Sequence, residues 1–320
     1  MKKRIITGLI LGAAALVLIW FGGVFFAVVA LICVCFALAE EYKALRQAGY
    51  RTIVEPTWIA LGVSIPLGLL FGHKVVVPIL MGASLITVGG VVFRELPEQL
   101  THAAEYESKQ RAAESAQAAV TAEASDAETD LLDPDEPAAP PPPRDTRILD
   151  AVMSLLPLYS IVLPGLAVVS LTQVNPLSVQ RVMLLMLIAV PVIGDTAALF
   201  VGRAVGGPKL CPAVSPKKTV AGAIGGLAGS LAAAALIRLI GGLVCSPTTE
   251  LPRWMLCMAF GLLGGIAGQL GDLFASMVKR HCGIKDFSEI FPGHGGMLDR
   301  LDSILFMAII LYCCRLLYLQ

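Results

Sequence analysis

A chain of 320 residues that is 56% hydrophobic and only 15% charged, with mean hydropathy +0.77, has too little polar surface to cover a soluble globule of its size. Its 24 Lys and Arg residues balance 24 Asp and Glu residues, so net charge gives no footprint for a nucleic-acid partner. An all-α, polytopic integral membrane helix bundle is the expected fold class. Eight cysteines scattered mostly through apolar runs, with no CxxC pair and no zinc spacing, read as small packing residues.

In chain order, the basic segment Met1 to Arg4 precedes an apolar run, Ile5 to Trp20, and a second run, Val24 to Leu38, follows closely. No soluble domain stands behind them, so both are expected to be uncleaved spans rather than a secretory signal. Trp58 to Phe71 and Val75 to Phe93 form a second pair, giving a four-helix N-terminal membrane region over residues 1–93. Residues 94–147 change character abruptly. They are acidic and rich in alanine, with prolines crowding the end, and are expected to form a mobile cytoplasmic insertion with no catalytic role.

Residues 148–320 carry five further apolar runs, Leu149 to Leu171, Val182 to Arg203, Val220 to Cys245, Trp254 to Lys279 and Leu298 to Leu317, for about nine spans in all. Pro157 and Pro164 interrupt the fifth, which neighbouring helices can accommodate. With the N-terminus cytoplasmic, 19 of the 24 basic residues fall on the inside and only Lys74, Arg181 and Arg253 outside. That orientation puts the polar loops of the second half in the cytoplasm.

Within these runs a carboxylate calls for a reason, since placing one at the centre of a span costs roughly 2.5–3.5 kcal/mol on insertion scales. Asp195 interrupts the sixth run and Asp272 the eighth. On the eighth helix Asp272, Ser276 and Lys279 share a face by their spacing, with Arg280 beside it; Asp299 and Asp302 share a face of the ninth. Carboxylates converging from separate helices would repel unless a cation offsets them. Oxygen donors without paired His or Cys favour Mg2+, which leaves room for substrate phosphates and water, and Asp272 with Asp299 are its expected ligands. A second cation is compatible with the same set.

Bases complete the pattern. The loop after the sixth run supplies Arg203, Lys217 and Lys218 with the hydroxyls of Ser215 and Thr219. Before the ninth helix, Gly295 and Gly296 read as positions where backbone amides approach phosphate, and His294 as either orienting a phosphate or bracing the loop.

The 27 residues from Ser276 to Asp302, SMVKRHCGIKDFSEIFPGHGGMLDRLD, place Ser276, Lys279, Arg280, Lys285, Asp286, Pro292, His294, Gly295, Gly296, Asp299, Arg300 and Asp302 at spacings that closely resemble the signature of the CDP-diacylglycerol synthases, also called phosphatidate cytidylyltransferases. A second segment resembles the same family through Asp195, Thr196, Gly202, Arg203 and the run Ser215 to Thr219. It departs where the family commonly has an acidic residue at Ala221, an aromatic near Ala198 and a lysine near Gly207.

The resemblance implies CTP plus phosphatidate giving CDP-diacylglycerol plus diphosphate in phospholipid biosynthesis, at a bacterial inner (plasma) membrane, with membrane lipids as surroundings and a homodimer as assembly. Asp272, Asp299, Lys279, Arg280, Lys285, Asp286 and Arg300 are the expected catalytic set. Asp195, Arg203, Ser215, Lys217, Lys218, Thr219, Ser276, His294, Gly295, Gly296 and Asp302 are expected to bind substrate. A CTP-dependent polyprenol or phytol kinase would share a basic membrane-embedded site, and an ion-coupled transporter would share carboxylates in spans; the long signature and the absence of an internal repeat weigh against them.

Overall fold

The computed structural model describes residues 2–71, 76–91, 147–244, 252–291 and 295–318. The acidic insertion, apart from Arg147, lies outside the described residues, as does His294. In chain order the elements are α1 (Lys2–Phe21), α2 (Gly23–Gln47), α3 (Glu55–Phe71), α4 (Val76–Val91), α5 (Arg147–Pro157), a π turn (Leu158–Val162), α6 (Leu163–Leu171), α7 (Leu177–Val205), β1 (Lys209–Cys211), β2 (Ser215–Thr219), α8 (Val220–Val244), α9 (Trp254–His281) and α10 (Leu298–Tyr318). Helices thus occupy every expected apolar run. Among the described residues, five are long and apolar enough to cross a membrane: Gly23–Gln47, Ile148–Leu171, Leu177–Val205, Val220–Val244 and Trp254–His281. Large apolar side chains face outward along them, including Val24, Phe25, Leu243 and Met255. The protein is a helical integral membrane protein.

The all-α expectation holds, with one short hairpin added: β1 and β2 pair antiparallel between α7 and α8, with Lys209 opposite Thr219 and Cys211 opposite Ser215. Gly206, Gly207 and prolines at 208, 212 and 216 stop any helix there. Hydrogen-bonded strand pairing satisfies the backbone instead.

Pro157 and Pro164 do not break the fifth run. The backbone widens into the π turn between them and continues as α6. Upstream of that turn, Asp150 accepts the Arg51 N–H at 3.1 Å, the Ser154 hydroxyl oxygen accepts the Ile53 N–H at 3.0 Å, and the Ser154 carbonyl accepts the Tyr42 hydroxyl at 3.0 Å. These bonds fasten the α2–α3 connection at one end of the bundle. At the opposite end Gln180 of α7 accepts the Gly23 N–H at 3.0 Å, and Arg315 of α10 donates to the Ser170 carbonyl.

Close approach between α7, α8, α9 and α10 is made by small residues. A Cβ on Gly229 would sit 2.5 Å from the Cβ of Ala197, and one on Gly265 2.7 Å from that of Ser230. On the α10 side of α9, Gly264, Gly268 and Gly271 recur at helical spacing, and a Cβ on Gly271 would meet the Asp302 carbonyl oxygen at 2.5 Å. Dispersion contacts replace the hydrophobic drive between helices that lipid cannot supply. Two apolar clusters fill the bundle; the one nearer the signature loop contains Val34, Leu38, Leu45, Val278, Phe287, Leu298 and Leu305.

Gly271→Val should therefore force α9 away from α10 and lower stability by about 1–3 kcal/mol. Gly62→Ala, on a face of α3 with nothing within 4 Å among the described residues, should leave the melting temperature unchanged. Thermal unfolding in detergent compares the two; equal melting temperatures would remove the close α9–α10 contact from the stability account.

Candidate active site

The C-terminal ends of α2, α7 and α9 and the N-terminal ends of α8 and α10 meet at one end of the bundle, with the hairpin and the signature loop beside them. α9 stops where Gly283, at φ +69°, lets the Ile284 N–H return to the Lys279 carbonyl at 2.9 Å and the Gly283 N–H to that of Arg280 at 3.1 Å. The loop then runs to Phe287, which is buried, and returns through a bridge between Phe291 and Gly295 to α10.

Asp195, Asp272 and Asp302 stand on α7, α9 and α10, near enough for their charges to act on one another. The charge of Asp272 acts on both others, and that of Asp195 on Asp302. Asp195 is exposed and accepts the Ser303 hydroxyl at 3.3 Å; Asp272 and Asp302 are half-buried. Lys218 Nζ lies 2.6 Å from Asp272 Oδ2, a pair brought together by β2 and α9. Lys218 and Arg300 also act on Asp195, and Lys279 on Asp302.

Asp299 is oriented differently. Its Oδ1 lies 2.6 Å from Lys279 Nζ, while Oδ2 accepts the N–H groups of Phe287 at 3.0 Å and Gly296 at 2.9 Å. It is buried and braces the loop from inside, so an ion at Asp299 would have to displace Lys279 from Oδ1. Each of Asp272 and Asp299, the expected ligands of one ion, holds its own lysine.

The glycines before α10 sit against the chain's own carboxylates. The Gly296 N–H belongs to Asp299, and those of Met297 and Leu298 donate to Glu40 of α2 at 2.9 and 2.8 Å. The anion at this helix N-terminus is the chain's own, and both glycines are positions of close packing. Gly295, at φ +79°, would bring a Cβ to 2.7 Å from Asp299 Oδ2; one on Gly296 would come within 2.6 Å of the Glu40 carboxylate.

Thr219 is buried, and its Oγ1 accepts the Gly222 N–H at 3.1 Å, capping α8. Arg203, Lys217, Arg280, Lys285, Asp286 and Arg300 are exposed around the carboxylates and the loop, while Ser215 and Ser276 are half-buried, Ser276 on the α9 face of Asp272 and Lys279.

Two residues escaped sequence reasoning, Glu40 and Glu41, both buried. Glu41 Oε2 accepts the Ser160 hydroxyl of the π turn at 2.9 Å, and its side chain borders a small cavity shared with Asp302, Phe274 and Phe306. Their signal was present, since two adjacent carboxylates end the second apolar run. The rule applied to Asp195 and Asp272 stopped at Leu38.

Among the described residues, no three His, Cys, Asp or Glu side chains converge to hold an ion by protein atoms alone. Asp195, exposed, and Asp272 and Asp302, half-buried, offer oxygen donors only. That donor chemistry fits Mg2+ and not zinc.

The two lysine pairs should respond unequally. Asp299→Asn leaves a buried ammonium with a weakened partner and should cost about 3–5 kcal/mol. Asp272→Asn breaks a pair whose side chains are 26% and 30% exposed, worth at most about 1 kcal/mol after solvent screening, and relieves repulsion with its carboxylate neighbours. Denaturant midpoints of purified variants check this; the reverse order would mean that Asp299 is not the buried anchor.

A family model described as the cytidylyltransferase family matches residues 2–318. The phosphatidate cytidylyltransferase of Brucella suis is 46% identical to this chain over 118 residues, which are 37% of this chain and 41% of that protein. That of Bacillus subtilis is 42% identical over 119 residues, again 37% and 41%. An uncharacterized protein of Escherichia coli, YnbB, is 38% identical over 137 residues, 41% of this chain and 43% of the relative. The similarity to these relatives spans about two fifths of their length. With the family match running nearly end to end, the chain belongs to the cytidylyltransferase family.

Proposed function

We propose that this protein is a phosphatidate cytidylyltransferase, converting CTP and phosphatidate to CDP-diacylglycerol and diphosphate. The observation that carries the reading is the gathering of Asp195, Asp272 and Asp302 beside Lys218 and Lys279 at one end of a membrane bundle of the cytidylyltransferase family. The name borne by the Brucella and Bacillus relatives supports the same substrates.

In this reading a phosphate oxygen of phosphatidate, ionised at neutral pH, bonds to the α-phosphorus of CTP in line, and the bond to the β-phosphate oxygen breaks. The lipid is itself the nucleophile, so the chain needs no covalent intermediate and acts by positioning and charge neutralisation. Mg2+, when bound, would offset phosphate charge and ease departure of diphosphate. Asp272 would hold it, with Asp195 and Asp302 adjoining and Asp299 joining only on release of Lys279. Lys218 and Lys279 would turn from their carboxylates to the phosphates. Arg203, Lys217, Arg280, Lys285 and Arg300 would form a basic rim that attracts CTP, with Asp286 among them and the Ser215 and Ser276 hydroxyls as donors.

The same reading takes all nine helical runs as spans and puts the N-terminus and the site in the cytoplasm of a bacterial inner (plasma) membrane, supported by the distribution of Lys and Arg. Phosphatidate would enter laterally from the surrounding lipids. A homodimer belongs to the reading through the family resemblance alone. The carboxylates lie toward one end of the bundle, Asp195 and Asp272 in the second halves of α7 and α9 and Asp302 in the second turn of α10, and the sequence shows no internal repeat, which weighs against an ion-coupled transporter.

Purified protein in detergent, given labelled CTP and phosphatidate, should form CDP-diacylglycerol in a Mg2+-dependent manner that a chelator abolishes. Asp272→Asn should fold normally and lose at least about a hundredfold in kcat. Transfer of the γ-phosphoryl group to a prenol, or undiminished turnover by Asp272→Asn, would sink the assignment.

A further inference from the structure

We infer that Glu40 is a positioning residue of the reaction: from the second helix, its carboxylate sets the turn that aims Lys279. This rests on the cytidylyl-transfer reading above. A helix N-terminus leaves its first amides unpaired, and a Ser, Thr, Asp or Asn immediately before it usually supplies the cap. Met297, immediately before α10, has no such group. The cap arrives from 257 residues earlier in the chain.

Glu40 serves three separate points of the signature segment with one side chain. Its Oε1 accepts the Ser288 hydroxyl at 2.5 Å and the Met297 N–H at 2.9 Å, and Oε2 accepts the Leu298 N–H at 2.8 Å. Loop and helix start are thereby tied to the same buried group. The next residue along, Asp299, holds the Phe287 and Gly296 amides and the Lys279 ammonium. Glu40 thus reaches Lys279 through a continuous run of bonds while touching neither the lysine nor the carboxylate cluster. Its charge also occupies the amides that would otherwise compete for a substrate phosphate, which leaves the lysines as the anion-binding groups.

A side chain needed only for folding would lower stability without caring whether Lys279 is present. A positioning residue would lose its effect once Lys279 is gone. Glu40→Gln, Lys279→Met and the double variant, made in the full chain in detergent, separate these cases. Glu40→Gln should lower kcat on the order of tenfold to a hundredfold, as displacement of a reacting group does. The double variant should be no slower than Lys279→Met alone. Hydrogen exchange should rise in the segment 285–300 of Glu40→Gln and stay unchanged in α7 and α8. Where Glu40→Gln fails to fold, Ser288→Ala, which removes one of the three bonds, should give smaller changes of the same sign. Multiplying losses in the double variant, or unaltered exchange over 285–300, would overturn the inference. Wild-type protein that makes no CDP-lipid would overturn the activity reading and the catalytic half of this one; the exchange measurement then still decides whether Glu40 holds the turn.

Discussion

The carboxylate of Glu40 on the first amides of α10 is the contact on which the arrangement at this end of the bundle depends. Helices embedded in lipid satisfy their own backbone internally, but their ends do not, and five helix ends meet here. A charge-assisted hydrogen bond contributes roughly 1.5–3 kcal/mol where it is sheltered from water, and Glu40 makes three of them. The signature loop therefore has a fixed floor, and the N-terminal helices are part of the site rather than a separate anchor.

Above that floor the chemistry is one of balanced charge. Asp272 and Asp299 each hold a lysine at 2.6 Å, yet the two pairs differ in depth: one is open to solvent and the other is enclosed by the loop amides and Phe287. Close packing of α7 to α10 through glycine, alanine and serine lets carboxylates from three helices stand within reach of one another, which larger side chains at those positions would prevent. Position of the charges is thus inherited from small residues beside them, such as Gly194 and Gly271.

Much of this was legible in the sequence. Apolar runs located every described helix because period and composition suffice for a lipid-facing segment, and the face-sharing of Asp272, Ser276 and Lys279 follows from helical spacing alone. The grouping of Asp195 with Asp272 and Asp302 was partly legible, as costly carboxylates in apolar runs. What spacing could not reveal was direction across the loop. Asp299 and Asp302 share a face by number, but the turn of the chain at Gly295 folds the Asp299 carboxylate back on Gly296 and Phe287. Thr219 looked like a substrate hydroxyl because its run is polar; being the last residue before α8, it serves that helix. Glu40 was hidden by distance along the chain, which no local pattern encodes.

The widened turn at Leu158–Val162 does more than let two prolines pass. Each residue advances a helix by about 100°, so a one-residue surplus rotates everything downstream by that angle relative to what precedes it. The segment before it offers a polar stripe, Asp150 and Ser154, to the α2–α3 connection, and the segment after it offers an almost wholly apolar surface, Leu166, Ala167, Val168 and Leu171, to the interior. A single uninterrupted rod would have to compromise between these two azimuths. The phase slip lets one continuous span address two different neighbours, with Ser160 at the joint turned toward Glu41.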